Sequence, residues 1–345
     1  MKILDTTIAP GETKTIFLAI AKLHTGTPID IPVVVSRALE DGPCLLLTGG
    51  IHGDEVNGVE IVRQIITNGY HKPTKGTVIC IPVVNMFGFL NQARDFPDGR
   101  DLNRMFPGFK KGSLASRFAY HIIEIIAPCV EYCIDFHTGG ASRFNYSQIR
   151  IDAQEPETLE LAKIFGTKFI LDSQNRDKSF RKTMSTLGKK VLLFEGGKTL
   201  NLDRIVTQLG IEGTLKVMQH LGMRNFEEEL EESYTPKKQV LVRKSSWVRA
   251  PESGMWRSFR HIGSYVKKGE PIGSVSDPYG AMEQIVKAPF EGFIICNNHA
   301  PLVNEGDAIS HITKEIELQE KTIQASTTID QEDEEEEEEI LSEEK

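Results

Sequence analysis

No apolar run in this sequence approaches the roughly 18 residues that a membrane-spanning helix needs, which argues against a helical membrane protein. Cysteine is scarce. The five residues Cys44, Cys80, Cys129, Cys133 and Cys296 are an odd number, none forms C-x-x-C, and four sit in apolar surroundings. They read as buried reduced thiols rather than a disulfide framework. The first residues lack the apolar core of a signal peptide, so the expected compartment is cytoplasmic. A basic excess is missing too: 40 Lys and Arg face 49 Asp and Glu, for a net charge of −9. A nucleic-acid partner needs a basic stripe to displace counterions, and none is expected. The acidity is local, because residues 330–345 hold eleven acids and one base and leave the rest of the chain at +1. That segment has no aromatics and a self-repelling Glu run, the composition of a disordered tail.

Hydrophobic residues make up 39% and charged residues 26% of 345 residues, ordinary globular usage at a length that suggests two domains. Thr15 to Val35 carries apolar, often β-branched residues broken by His24-Thr25-Gly26-Thr27-Pro28, the pattern of an antiparallel strand pair. Short apolar runs then alternate with helical stretches. The runs are Cys44–Leu47, Val78–Val84, Cys133–Phe136 and Val191–Phe194. The helical stretches lie near Val59–Thr67, Ser113–Ile126, Pro156–Phe165 and Leu202–Leu221. Near-continuous apolar runs mark strands buried on both faces, so residues 1–235 are expected to form an α/β domain with a mixed central sheet. Beyond Tyr234-Thr235-Pro236 helical periodicity stops. Ala250-Pro251-Glu252-Ser253-Gly254 recurs as Ala288-Pro289-Phe290-Glu291-Gly292, and Val266 to Ile272 recurs as Val303 to Ile309. Two related β units predict a small pseudo-symmetric barrel or sandwich over 236–315, with 316–345 as the tail. This half resembles biotinyl/lipoyl carrier domains, but Glu283 stands where the resemblance puts the modified Lys, so carrier function is not expected.

The chemistry concentrates at strand ends. Thr48-Gly49-Gly50-Ile51-His52-Gly53-Asp54-Glu55 follows one apolar run and precedes a helix, the position where open α/β sheets place ligand sites. H-x-x-E is weak by itself. A second copy, His121 to Glu124, falls inside an amphipathic helix and reads as structural. In the first copy, His52 and Glu55 are candidate ligands for Zn²⁺, which catalytic sites bind with three protein groups plus water. The third candidate is His137, closing the run Cys133–Phe136, with Asp135 two residues earlier on the same strand face to take its spare N–H. Glu195, ahead of Gly196-Gly197 at another strand end, is a candidate base and acid. The loop Arg94 to Gly108 holds Arg94, Arg100, Asn103 and Arg104. Those residue types grip a carboxylate and can stabilise an oxyanion.

Taken together, H-x-x-E, D-L-N-R, D-x-H and the strand-end E-G-G resemble the succinylglutamate desuccinylase/aspartoacylase family, related to the zinc carboxypeptidases. The likeness runs over residues 40–200 by motif and to about 312 through the β region. It implies a zinc-carboxypeptidase-like three-layer α/β/α domain and one zinc on His52, Glu55 and His137. It further implies Glu195 as general base and acid, and Asn103 and Arg104 on the substrate carboxylate. The family's oxyanion arginine precedes D-L-N-R, which leaves Arg94, favoured, and Arg100. Asp54 stands where aspartoacylases have Asn, a departure that weighs against aspartoacylase itself. The expected reaction is hydrolysis of the amide of an N-acyl amino acid. The alternatives are a metallocarboxypeptidase acting on short peptides and a non-catalytic scaffold. The β region is in addition a candidate lid, partner-binding or homo-oligomerisation element.

Overall fold

The computed structural model describes residues 1–22, 24–233, 236 and 238–319. The acidic segment from 320 onward, and residues 234 and 235 at the expected domain junction, lie outside the described residues.

A ribbon of β1 (Lys2–Ile3) and β2 (Thr6–Thr7) precedes the long pair β3 (Thr13–Lys22) and β4 (Pro28–Arg37). Strands and helices then alternate. In order they are β5 (Glu40–Thr48), α1 (Val56–Thr67), β6 (Lys75–Ile81), α2 (Met86–Asn91), α3 (Leu114–Ile126), β7 (Tyr132–Gly139) and β8 (Arg143–Ile151). These are followed by α4 (Pro156–Phe165), β9 (Phe169–Asp172), α5 (Phe180–Thr186), β10 (Lys190–Lys198) and α6 (Arg204–His220). Only strands follow among the described residues: β11 (Gln239–Arg249), β12 (Gly254–Ser258), β13 (Tyr265–Val266), β14 (Pro271–Ser276), β15 (Glu283–Lys287), β16 (Gly292–Asn298), β17 (Leu302–Val303) and β18 (Ala308–Gln319).

The main sheet has twelve strands in the order β13-β16-β18-β11-β9-β8-β10-β7-β5-β6-β4-β3. It is mixed. The run β6-β5-β7-β10 is parallel, whereas β8 lies antiparallel to β10. The β-rich end is not separate from this sheet, because β11 pairs in parallel with β9 and β16 pairs with β8. The sequence repeat reappears as structure. Gly254 and Gly292 open β12 and β16, Val266 and Val303 lie in β13 and β17, and Ile272 and Ile309 lie in β14 and β18. Trp256, Val266, Ile272, Val286, Ile294 and Ile309 give this region a core of its own.

Alternation along β7 and β10 builds two cores, one on each side of the sheet. Ile134, Phe136, Leu192 and Phe194 pack on one side with residues of α1, α4 and α6. Cys133 and Val191 pack on the other side with α3 and α5. On that second side the next residues along the strands are Asp135, His137, Leu193 and Glu195, so the apolar row gives way to polar groups toward the carboxyl ends. Asp135, His137 and Glu195 therefore extend a core face, whereas His52, Glu55 and the arginine candidates come from the turn and loop beyond the strand ends.

Three boundaries differ from the sequence reading. His137 and Glu195 were expected to close their strands, yet β7 runs on to Gly139 and β10 to Lys198. The two strands keep pairing with each other as far as Lys198↔Gly139, and β8, antiparallel along β10, pairs with it to Gly197. In addition β18 continues to Gln319, four residues beyond 315, with Glu317 bridging to Arg243 and Glu315 to Lys244 across β11.

Candidate metal centre and active site

The turn after β5 is shaped by glycine. Gly50 has φ +60°, in the left-handed region that favours Gly. A Cβ on Gly53 would lie 1.8 Å from the backbone carbon of Gly88, so only Gly lets this turn press against α2. The result presents His52 inward and puts Glu55 at the N-cap position of α1, where the helix dipole favours negative charge.

His52, Glu55 and His137 are all buried, and one ligand atom from each lies within 4.8 Å of the others. Nδ1 of His52 stands 2.7 Å from Oε1 of Glu55, and Nδ1 of His137 stands 2.8 Å from Oε2. The outer nitrogens face other carboxylates: Nε2 of His52 is 3.3 Å from Asp101, and Nε2 of His137 is 2.9 Å from Asp135. The second oxygen of Asp135 accepts from the Thr48 hydroxyl at 2.7 Å, and the Thr138 amide donates to Glu55 at 3.0 Å.

Four ring nitrogens therefore face four carboxylate oxygens. A neutral imidazole carries one N–H, so two neutral rings satisfy only two of these contacts. If the outer N–H groups bond Asp101 and Asp135, both Nδ1 lone pairs and the Glu55 carboxylate converge with no proton between them. That donor set fits a divalent cation, with the outer carboxylates fixing ring tautomers. Without a cation the balance falls on protons. Burial pushes both imidazoles down, yet Glu55 and Asp101 hold His52 above the usual value, and Asp135 and Glu55 hold His137 well above it. Burial also opposes charge on Glu55, and the two imidazoles still hold its carboxyl well below the usual range.

Arg94 reaches this cluster, with Nη1 3.2 Å from Glu55 and Nη2 3.0 Å from Asp101. Glu195 is the register partner of His137 on the neighbouring strand. Its Oε2 accepts from Asn145 at 2.7 Å and forms an ion pair with Arg150 at 2.8 Å.

The catalytic-domain profile of succinylglutamate desuccinylase and aspartoacylase matches residues 41–221, more than half of the chain. The chain belongs to the succinylglutamate desuccinylase/aspartoacylase family. It is 29% identical over 301 residues to an N-alpha-acetyl-L-2,4-diaminobutyric acid deacetylase of Halomonas elongata, covering 83% of this chain and 86% of that one. Two solved structures share the fold. A succinylglutamate desuccinylase/aspartoacylase from Rhodobacter sphaeroides superposes with TM-score 0.75 at 24% identity, covering 88% of this chain and 96% of that one. The product-bound ectoine utilization protein of Ruegeria pomeroyi gives TM-score 0.75 at 20% identity, covering 88% and 94%.

Within this family framework, the structure brings together His52, Glu55, His137, Asp135 and Arg94, with Glu195 beside them. It does not bring Arg100, whose guanidinium pairs with Asp98 at 3.0 Å and is about half exposed. Asn103 is buried, and its Oδ1 caps α5 by accepting from the Phe180 amide at 2.8 Å. Arg104 donates to the Asn103 carbonyl at 2.6 Å. Three groups on or near the site were not singled out from sequence: Asp101, Asn145 and Arg150. Asp101 is the first residue of D-L-N-R, so its signal was present in the motif. Asn145 and Arg150 carry no local signal, because only strand pairing brings β8 to Glu195. Two further cations, Arg176 and Arg181, crowd the same region. Burial, with Arg104 and Arg150 near Arg176 and with Arg150 near Arg181, pushes both down, Arg181 to about 10.

Proposed function

We propose that this chain is a zinc-dependent deacylase that hydrolyses the amide bond of a short N-acyl amino acid. Its family identifies the chain as a hydrolase of linear, non-peptide carbon–nitrogen bonds. The observation that carries the finer reading is the buried His52–Glu55–His137 triangle, backed by Asp101 and Asp135, with Glu195 one strand away.

His52, Glu55 and His137 would hold Zn²⁺, which would supply Lewis-acid polarisation of the scissile carbonyl and a more acidic water. Glu195 accepts a proton from the attacking water and returns it to the leaving nitrogen, so one carboxylate serves as base and then as acid. Arg94 directs its guanidinium at the same cluster and stabilises the oxyanion as negative charge develops. Arg104, with Asn103 fixing the turn that bears it, binds the amino-acid carboxylate. Asp135 and Asp101 keep the two imidazoles oriented. The domain is read as zinc-carboxypeptidase-like, and residues 239–319 as a biotinyl/lipoyl-like β element walling one side of the cleft. In support of the wall, β16 pairs with β8 at Asn145, and His299 stacks on Phe144 with ring centroids 5.1 Å apart.

The test is turnover by zinc-loaded protein on N-acetyl and N-succinyl amino acids beside a panel of short peptides. Hydrolysis of an N-acyl amino acid with no release of C-terminal residues from peptides is expected. The reverse pattern would make the chain a carboxypeptidase.

A further inference from the structure

We propose that Arg150 and Asn145 are positioning residues for Glu195, clamping Oε2 so that Oε1 is the oxygen that exchanges protons. The inference rests on the reading of Glu195 as base and acid. Both reach the same atom, Asn145 Nδ2 donating to it at 2.7 Å and Arg150 Nη2 forming an ion pair with it at 2.8 Å, while Oε1 has no hydrogen-bond partner among the described residues. A carboxylate held through one oxygen by a hydrogen bond and an ion pair has little freedom to rotate, and its other oxygen keeps both lone pairs available.

How both groups reach that atom is decided by strand register. Gln148 lies directly opposite Glu195, and Arg150 lies opposite Leu193. Arg150 therefore shares the Glu195 face by simple alternation. Asn145 is three residues from Gln148 and, on a regular strand, would point to the opposite side. The pairing slips between Glu195↔Gln148 and Gly197↔Asn145, so Tyr146 and Ser147 together stand opposite the single residue Gly196. Such a bulge re-aims the following side chain. A Cβ at Gly196 would come within 2.7 Å of Val206 and 2.8 Å of the Ser147 hydroxyl, so the bulge is packed tightly on the face opposite Glu195. Gln148 is fully buried, and its amide makes no hydrogen bond among the described residues, so the direct register neighbour does not hold Glu195. The contacts come from the two β8 residues that alternation and the bulge bring round.

The test is steady-state kinetics on the full zinc-loaded chain with the fastest N-acyl amino acid of the panel. The variants are Arg150→Met, Arg150→Lys, Asn145→Ala, Glu195→Gln and the double variant Glu195→Gln/Arg150→Met. Misplacing a reacting group by about 1 Å costs on the order of 100-fold, so Arg150→Met and Asn145→Ala are expected to lower kcat by roughly 10- to 100-fold. KM should stay within about threefold and zinc content should be full. Arg150→Lys, which keeps a cationic donor, should recover part of the loss. Adding Arg150→Met to Glu195→Gln should cost nothing further, since residues acting through one group are not additive. A loss in KM alone, or a full additional loss in the Glu195→Gln background, overturns the proposal. A crystal structure of Arg150→Met decides independently of turnover. A displaced Glu195 carboxylate is expected, and an unmoved one refutes the clamp. If Glu195→Gln itself turns over at the wild-type rate, the base reading fails, while the crystal structure still tells whether β8 holds this side chain.

Discussion

Asp135→Asn removes one negative charge from behind His137 while keeping the side chain's volume. Asp135 is completely buried and makes two hydrogen bonds, accepting from Thr48 at 2.7 Å and facing His137 Nε2 at 2.9 Å. The charge-assisted bond to the imidazole fixes its orientation and raises its basicity as a ligand. A hydrogen bond to a charged group is worth roughly 1.5–3 kcal/mol, and loss of such an outer partner lowers metal affinity about 10- to 100-fold. The two figures agree, since a factor of ten corresponds to about 1.4 kcal/mol. The assay is competition for Zn²⁺ between protein and a chromophoric chelator of known affinity, with Asp98→Asn as control because Asp98 pairs, among the described residues, with the backbone amide and guanidinium of the half-exposed Arg100. Asp135→Asn should weaken zinc binding by one to two orders of magnitude, and Asp98→Asn should leave it unchanged. A folded Asp135→Asn protein that binds zinc like wild type would refute the argument that the outer carboxylates tune this site.

Two further outcomes follow from the geometry. Arg94→Ala should lower kcat by about 100- to 1,000-fold, the usual cost of losing an oxyanion donor, while Arg100→Ala should change it less than twofold; equal losses would undo the choice between them. His311, stacked on Trp247 and facing Arg143 and Arg150, is held down to about 3 by burial and by those guanidinium groups. Its folded pKa lies below the unfolded value, so the unfolded chain binds the extra proton and stability falls as pH drops below about 6.5. From pH 7 to pH 5 this one residue costs up to about 2 kcal/mol, and the difference in denaturant-unfolding free energy between wild type and His311→Gln should change by that amount over the interval. A constant difference would show that His311 is not held neutral.

Much of the site was legible because its parts are short and local. His52 and Glu55 share one turn, and Asp135 and His137 share one strand face, so residue spacing alone placed them. The apolar runs revealed β5, β7 and β10 for the same reason. β8 went unseen because Arg143 to Ile151 alternates polar and apolar residues instead of forming a continuous apolar run. With β8 went Asn145 and Arg150, whose nearness to Glu195 exists only through cross-strand register and a bulge. Spacing likewise could not separate Arg94 from Arg100. That difference comes from tertiary folding of the loop, which leaves Arg100 to Asp98 and carries Arg94 across to Glu55 and Asp101. The β-rich end reads as a change of texture in sequence, but its pairing to β8 and β9 is long-range and has no local signature.

The central claim, a metal-dependent hydrolysis driven by Glu195, is tested most directly by measuring zinc content and turnover together in wild type and Glu195→Gln. The account predicts about one zinc per chain in both proteins and a kcat in the variant lower by roughly 100- to 10,000-fold. Wild-type turnover in Glu195→Gln, or wild-type protein that neither binds zinc nor gains activity when zinc is supplied, would contradict it.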